Sequence, residues 1–141
     1  MASNTPPAAI QAAPVFLDRE ATVEKSGRLI EEAAGKGAEL IAFPEVYIPV
    51  YPWWHRLDNP YRGHKYFREL VKNSVEIPSP AMDRICESAR KFNVYVVMGI
   101  NERVPETLGT IYNTNVLIDR KGKILGAHRK LVPTFAEKLT W

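Results

Sequence analysis

Three charged residues have side chains of the types that carry out acid–base chemistry. Two of them lie at the ends of predicted strands, and the third follows shortly after the second. Glu45 follows the apolar run Leu40–Phe43 and so lies at the carboxyl end of a strand, where open α/β sheets place their ligand crevices. Lys130 ends a second predicted strand, and Glu137 follows seven residues later. A lysine and glutamates that converge on one cleft perturb each other's pKa values, as catalytic groups do. The same spacing also fits an ordinary ion-pair network or, for Glu45, a solvated glutamate at a strand end.

The other reactive side chains do not indicate a catalytic site of their own. The single cysteine, Cys86, falls on the apolar face of a predicted helix, where burial raises a thiol pKa, so we expect a core residue rather than a nucleophile. His55, His64 and His128 lack the i, i+4 spacing that zinc enzymes use. The sequence also lacks a phosphate-binding glycine loop and a Gly-x-Ser-x-Gly elbow. These patterns argue against metal, nucleotide and serine-hydrolase chemistry.

Strands and helices alternate along the chain, and a hairpin follows them. Apolar residues recur with a helical period in two segments and form short continuous runs elsewhere. Asp at the first position and Gly at the fourth position of Asp119–Gly122 indicate a turn between two strands. The predicted elements are a strand within Ala8–Phe16, a helix over Arg19–Lys36, a strand at Leu40–Phe43, a helix over Ser79–Asn93, a strand at Val94–Ile100 and hairpin strands at Ile111–Ile118 and Lys123–Lys130. Two helix–strand alternations predict an α/β fold with helices on at least one face of a sheet.

Three further segments are predicted to be irregular. Residues 1–7 form a polar lead that we expect to be disordered, and residues 8–141 form the domain. The aromatic segment, Tyr47–Phe67, holds seven of the fourteen aromatic residues and three prolines, so we expect an ordered loop with a short helix near Lys65–Lys72. The tail, Leu131–Trp141, contains a proline and has no predicted partner.

Composition excludes several classes of function. The 141 residues carry 19 Lys+Arg against 16 Asp+Glu, and the densest basic stretch, Arg120–Lys130, has no interleaved aromatic residues for base stacking. We therefore expect no nucleic-acid partner. We also expect no membrane partner, because no apolar run approaches the roughly 18 residues of a membrane-spanning helix. One cysteine excludes a disulfide framework and, with no readable N-terminal signal, favours a cytoplasmic location.

Two motifs in this order resemble the nitrilase branch of the carbon–nitrogen hydrolase superfamily. The first is LIAFPEVY at Leu40–Tyr47, with Tyr51-Pro52 downstream, and the second is HRKLVPTFAEKLTW at His128–Trp141. The opening QAAPVFLD and the helix end AAGKGAEL are also similar, so the resemblance covers nearly the whole chain. It implies the N-terminal part of an α-β-β-α sandwich that is incomplete in this chain.

The resemblance also implies a reaction and assigns roles to residues. Glu45 is then the general base, Lys130 stabilises the tetrahedral intermediate, and Glu137 is a second glutamate of the site. Tyr51 lines the substrate pocket, and Trp54 belongs to the aromatic segment that provides an apolar wall for an organic nitrile. Such enzymes convert a nitrile to a carboxylic acid and ammonia through a Glu–Lys–Cys triad, without a metal or organic cofactor.

The nucleophilic cysteine of that triad has no match in this sequence. In the family it lies a few tens of residues beyond the lysine motif, whereas Cys86 precedes that motif. We therefore expect the 141-residue chain alone to be inactive, and we expect it to associate into homo-oligomers because half a sandwich leaves apolar surface uncovered. An amidase or carbamoylase, a cyanide-processing relative and a non-catalytic assembly chain stay as alternatives. The PTFAEKLTW continuation favours a nitrile over an amide.

Overall fold

Five strands form one mixed sheet whose order in space follows their order in the chain. In the computed structural model, which describes residues 5–107 and 109–141, the strands are β1 Pro7–Ala9, β2 Leu40–Ala42, β3 Tyr95–Arg103, β4 Ile111–Ile118 and β5 Ile124–Arg129. The first three strands are parallel, and β4 and β5 run antiparallel to their neighbours. Parallel neighbours require crossover connections, which the helices provide.

Within the described residues, five helical segments lie between or after the strands, and three of them begin at a residue whose side chain accepts a hydrogen bond from a free backbone N–H. The five segments are α1 Arg19–Gly35, α2 Trp54–Leu57, α3 Pro60–Asn73, α4 Pro80–Phe92 and a 3-10 helix at Phe135–Leu139. The Asp18 carboxylate caps α1 by accepting a hydrogen bond of 2.9 Å from the Ala21 N–H. Ser79 caps the start of α4, which ends at Asn93 in the left-handed region, with φ of 56°. These caps explain why the predicted bounds of α1 and α4 are confirmed to within one residue.

The main core lies between one face of the sheet and the helices α1 and α4. Alternate side chains of β3 and β4 point to this face, among them the fully buried Met98 and Val116. Helix α1 contributes Ile30 and α4 contributes Ile85, both without solvent exposure. The predicted α/β class, with helices on at least one face of the sheet, is confirmed.

The opposite face of the sheet is partly uncovered. Tyr95 on β3 and Leu117 on β4 are 38% and 42% exposed, and almost all of β5 is exposed. Leu117 pairs with Val97 on one side and with Gly126 on the other, so this face runs across three strands. A sheet with one face covered by helices and the other face partly uncovered is the arrangement expected of part of a layered sandwich.

The first strand is shorter than predicted. It covers Pro7–Ala9 instead of Ala8–Phe16, because β2 offers only three pairing residues and Pro14 has no N–H to donate. Residues 1–4 of the predicted disordered lead lie outside the described residues. Pro7, which the lead included, pairs with Leu40 of β2.

The aromatic segment is more helical than predicted: the short helix expected near Lys65–Lys72 is present as part of α3, and α2 and the start of α3 lie where a loop was expected. The side chain of Asn59 accepts a hydrogen bond of 3.0 Å from the Arg62 N–H, and Pro60 occupies the first turn, so α3 begins well before Lys65. The prolines of this segment therefore include one at a helix start, where the missing N–H carries no penalty.

Within residues 5–107 and 109–141, no helix combines the length and apolar character needed to cross a membrane.

The tail also has a partner, contrary to its prediction. Its 3-10 helix is followed by Trp141, whose indole Nε1 donates a hydrogen bond of 2.9 Å to Oδ1 of Asn101 on β3. Trp141 packs against a second apolar cluster that includes Val50 and Leu70. This contact was not predicted because it joins residues 40 positions apart, beyond the reach of any local pattern.

Candidate active site

A glycine on β3 allows the loop with Glu45 to lie directly against the sheet. The Ile48 N–H of this loop donates a hydrogen bond of 3.1 Å to the Gly99 carbonyl. A Cβ atom on Gly99 would lie 2.2 Å from the Pro44 carbonyl oxygen and 2.7 Å from the Val46 nitrogen. Any larger residue at position 99 would therefore push this backbone away, and Glu45 with it.

Lys130 leaves β5 beside Glu45 and connects it to Glu137. The Lys130 Nζ donates a hydrogen bond of 2.8 Å to Oε1 of Glu45. The same ammonium lies 3.1 Å from Oε1 and 2.8 Å from Oε2 of Glu137. The structure thus brings together Glu45, Lys130 and Glu137, the three charged residues that the sequence analysis selected as candidates.

Glu137 is a buried anion with several hydrogen-bond donors around it. Its residue is only 4% exposed, and its carboxylate accepts hydrogen bonds from Lys130, from the Thr134 N–H at 2.6 Å and from the Tyr51 hydroxyl at 2.8 Å. Burial opposes the charge, but these donors outweigh it and hold the pKa of Glu137 at about 2. Glu137 therefore stays ionised at neutral pH, which suits it to holding Lys130 rather than to moving a proton.

Glu45 is the more accessible of the two carboxylates. Its side chain is 46% exposed, compared with 5% for Glu137. Burial opposes the charge on Lys130, but the hydrogen bonds to Glu137 and Glu45 outweigh it and raise the pKa of Lys130. The site thus offers an open carboxylate that can accept a proton and an ammonium that can stabilise developing negative charge.

A cavity of about 480 Å³ opens beside Glu45. Tyr51 and Trp53 line it, and burial together with Glu137 raises the pKa of Tyr51, so its hydroxyl stays a hydrogen-bond donor. Trp54, which the resemblance placed in the wall of the substrate pocket, lies instead in the second apolar cluster and is 6% exposed. Of the two adjacent tryptophans, Trp53 is the one that lines this cavity.

Two buried asparagines near this site were missed by sequence reasoning. The Asn113 Nδ2 on β4 donates a hydrogen bond of 2.6 Å to Oε1 of Glu45. Asn101, its partner on β3, donates from Nδ2 to the Val50 carbonyl at 3.0 Å and accepts from Trp141. A buried polar group requires a partner, but both strands carry other polar residues, so no signal in the sequence set these two asparagines apart.

The remaining reactive side chains lie away from Glu45 or do not group together. Cys86 on α4 is half-buried against the main core, and burial raises the pKa of its thiol, as the sequence predicted. His55 and His64 lie on α2 and α3, whereas His128 lies on β5. Among the described residues, no three His, Cys, Asp or Glu side chains are grouped as a metal ion would require.

Comparison with known proteins assigns the chain to a family. Residues 8–141 match the family described as carbon-nitrogen hydrolase. The chain is 48% identical over 134 residues to a nitrilase of Bacillus sp. (strain OxB-1), a match that covers 95% of this chain and 38% of that protein. It is 42% identical over 132 residues to an aliphatic nitrilase of Rhodococcus rhodochrous, a match that covers 93% and 35%. The chain spans little more than a third of the length of these relatives.

A solved structure shows the same fold. The carbon-nitrogen hydrolase from Helicobacter pylori G27 aligns with a TM-score of 0.72 and 23% sequence identity, over 96% of this chain and 43% of that one. The sheet and its helices therefore correspond to part of a larger layered fold. The resemblance to the nitrilase branch, first seen in two motifs, is confirmed by the curated nitrilases, and the chain belongs to the carbon–nitrogen hydrolase family.

Proposed function

We propose that this chain provides the acid–base part of an active site that hydrolyses an organic nitrile to a carboxylic acid and ammonia. One observation carries the proposal: Lys130 bridges Glu45 and Glu137 at hydrogen-bonding distances beside an open cavity. The buried anion of Glu137 holds the Lys130 ammonium in place beside the accessible carboxylate of Glu45. A base and a hydrogen-bond donor are thereby kept at a fixed distance from each other. The sequence identity with curated nitrilases supports the choice of reaction.

The proposed reaction begins with a thiol supplied from outside these 141 residues. Glu45 accepts the thiol proton, and the thiolate attacks the nitrile carbon to form a C–S bond. Lys130 stabilises the nitrogen as negative charge builds there. The proton held by Glu45 then passes to that nitrogen, which gives a thioimidate and returns Glu45 to its carboxylate form. The first water adds to the thioimidate and ammonia leaves, so an acyl thioester remains. Glu45 then activates a second water, which releases the carboxylic acid and restores the thiol.

Each charged residue has a separate part in this scheme. Glu45 moves protons because it is exposed toward the cavity. Glu137 carries a permanent charge that keeps the ammonium of Lys130 in place. Cys86 has no role in the scheme, because it lies on α4 within the apolar core. No step of the scheme calls for a metal or an organic cofactor.

The cavity beside Glu45 supports a substrate with an apolar body. Tyr51 and Trp53 give two aromatic walls at its mouth, and Tyr47 and Val50 add further apolar surface. Aromatic and aliphatic walls around a few polar groups are typical of small-molecule sites. We therefore place an organic nitrile ahead of cyanide as the substrate. The identity with curated nitrilases supports a nitrile ahead of the amide that an amidase or carbamoylase would take.

Assembly and location form part of the same proposal. The partly uncovered sheet face, with Tyr95 and Leu117 exposed, supports association of the isolated 141-residue chain with copies of itself. The single cysteine, free and half-buried, supports a reducing cytoplasmic setting.

The substrate class is tested on the full-length gene product. Aliphatic nitriles, aryl nitriles, the corresponding amides and cyanide are each incubated with the purified protein, and ammonia and carboxylic acid are both measured. We expect nitriles to give ammonia and acid in equal amounts, and we expect the isolated 141-residue chain to give neither. Turnover of amides alone would replace this proposal with an amidase, and no turnover of any substrate would favour a non-catalytic assembly chain.

A further inference from the structure

Asn113 contacts both members of the proposed acid–base pair. Its backbone carbonyl accepts a hydrogen bond of 2.8 Å from the Lys130 N–H, and its side-chain Nδ2 donates one of 2.6 Å to Oε1 of Glu45. Asn113 is 6% exposed and lies within β4, between β3 and β5. The amide is therefore carried by an interior strand that is hydrogen-bonded on both sides, whereas Glu45 lies on a loop.

Both donors to Glu45 fall on the same carboxylate oxygen. Oε1 accepts from Asn113 at 2.6 Å and from the Lys130 ammonium at 2.8 Å. An oxygen that already accepts two short hydrogen bonds, one of them from a cation, is the weaker proton acceptor of the pair. Oε2 is then the oxygen left to take a proton.

A carboxylate does not keep its two oxygens distinct without help. The last torsion of a glutamate is broad and two-fold, so rotation exchanges Oε1 and Oε2. An ammonium on a flexible four-carbon stem can follow either oxygen, and Lys130 alone would not prevent the exchange. A planar amide fixed to a central strand can.

We propose that Asn113 is a positioning residue that selects Oε2 of Glu45 as the proton-accepting oxygen. This inference rests on the proposed function, in which Glu45 is the general base. The amide holds one face of the carboxylate, and Lys130 shares the oxygen that the amide has fixed. The backbone contact between Asn113 and Lys130 does not depend on the side chain at position 113, so that side chain can be changed alone.

The test compares two asparagines in the full-length gene product. Asn113→Ala removes the amide, and Asn113→Asp replaces it with a second carboxylate. Asn73→Ala and Asn73→Asp are the matched controls, because the Asn73 side chain also makes hydrogen bonds, at the end of α3, but lines neither of the two cavities beside Glu45. Nitrile hydrolysis is measured as kcat and KM across pH, with a thermal melt for each variant.

We expect Asn113→Ala to lower kcat about 10- to 100-fold while KM stays within about threefold, because only the geometry of the base is lost. Asn113→Asp should move the acidic limb of the kcat/KM profile upward by about one pH unit, because two adjacent carboxylates resist sharing negative charge. The charged and titratable groups around Glu45 are otherwise unchanged; they are Lys130, Glu137, Tyr47, Tyr51, Arg56 and His128. The Asn73 variants should leave kcat and the profile unchanged.

A purely structural role for Asn113 gives a different result. The melting temperature would then fall and the active fraction with it, but the pH profile of the remaining activity would match that of the wild type, and this would overturn the inference. If the wild type hydrolyses no substrate, the proposed function has failed, and the inference is read from ¹³C NMR titration of the Glu45 carboxyl group. A titration midpoint altered by the Asn113 variants and not by the Asn73 variants supports it; identical midpoints contradict it.

Discussion

The hydroxyl of Tyr51 donates a hydrogen bond of 2.8 Å to a carboxylate oxygen of Glu137, which lies 86 positions later in the chain. This contact joins the aromatic segment to the tail, and the rings of Tyr51 and Trp141 meet edge to face beside it. Tyr51 therefore does two things: it lines the cavity beside Glu45 and it supports the anion that holds Lys130. Hydrogen bonds therefore join the aromatic wall of the cavity to the charged residues Glu137 and Lys130.

Removal of the Tyr51 hydroxyl should destabilise the fold. We expect Tyr51→Phe to lower the free energy of unfolding by about 1.5–3 kcal/mol, the range for a hydrogen bond to a charged group. Urea denaturation of the full-length gene product measures this change. Tyr61→Phe is the matched control, since Tyr61 is 92% exposed, and it should have almost no effect. Equal losses in the two variants would show that the contact with Glu137 contributes nothing.

The charge on Glu137 should make stability depend on pH in a defined window. Its folded-state pKa of about 2 lies below the ordinary value of 4.5, so the ionised carboxylate stabilises the fold above pH 4.5. That contribution, on the order of 3 kcal/mol, is lost as the pH falls from 4.5 toward 2. Denaturation at several pH values should show a large gap between wild type and Glu137→Gln at pH 7 that narrows below pH 4.5.

The control for this experiment is Glu31→Gln, at an exposed position on α1. It should follow the wild type at every pH. A gap between Glu137→Gln and the wild type that stays constant down to pH 2.5 would mean that the ionisation of Glu137 is not what stabilises the fold.

The close approach at Gly99 should tolerate no side chain. Gly99→Ala would place a Cβ atom 2.2 Å from the Pro44 carbonyl oxygen, so the loop that carries Glu45 must move. We expect a loss of about 1–3 kcal/mol in the free energy of unfolding, together with a loss of activity. Gly126→Ala on β5 should be tolerated, because no atom lies within 4 Å of its added Cβ. A stable and active Gly99→Ala variant would contradict this account of the loop.

The partly uncovered sheet face should make the isolated chain associate. Light scattering of the 141-residue chain should show oligomers or aggregates, and Leu117→Lys should reduce them by placing a charge on the exposed face. Leu57→Lys is the control, because Leu57 is 81% exposed but lies on α2 and not on the sheet. A monodisperse wild-type monomer with a cooperative melt would count against an incomplete sandwich.

Local patterns were sufficient to predict the elements that have strong caps and clear periodicity. Helices α1 and α4 and the hairpin turn at Asp119–Gly122 are confirmed because Asp18, Ser79 and Gly122 each satisfy a short-range geometric need. Glu45 and Lys130 could be placed near strand ends for the same reason. Their mutual contact was one of the alternatives that the sequence left open, since the order of strands in a sheet does not follow from any local run of residues.

Most of the features that escaped prediction depend on long-range contacts. Asn113 looked like one polar residue of an alternating strand until β4 was placed beside the loop that carries Glu45. Trp141 closes the second apolar cluster from the far end of the chain. The start of α3 is the exception, because Asn59-Pro60 was a readable cap and first turn that the abundance of prolines obscured.

The most direct test of the account is nitrile hydrolysis by the full-length gene product with Glu45→Gln. Glutamine keeps the shape of the side chain but cannot accept the thiol proton or activate water. We expect the rate of ammonia release to fall by about 10²- to 10⁴-fold. The circular dichroism spectrum should be unchanged, and Glu31→Gln should be as active as the wild type. A Glu45→Gln protein that still hydrolyses the nitrile within threefold of the wild-type rate would contradict the central claim that Glu45 is the base of this site.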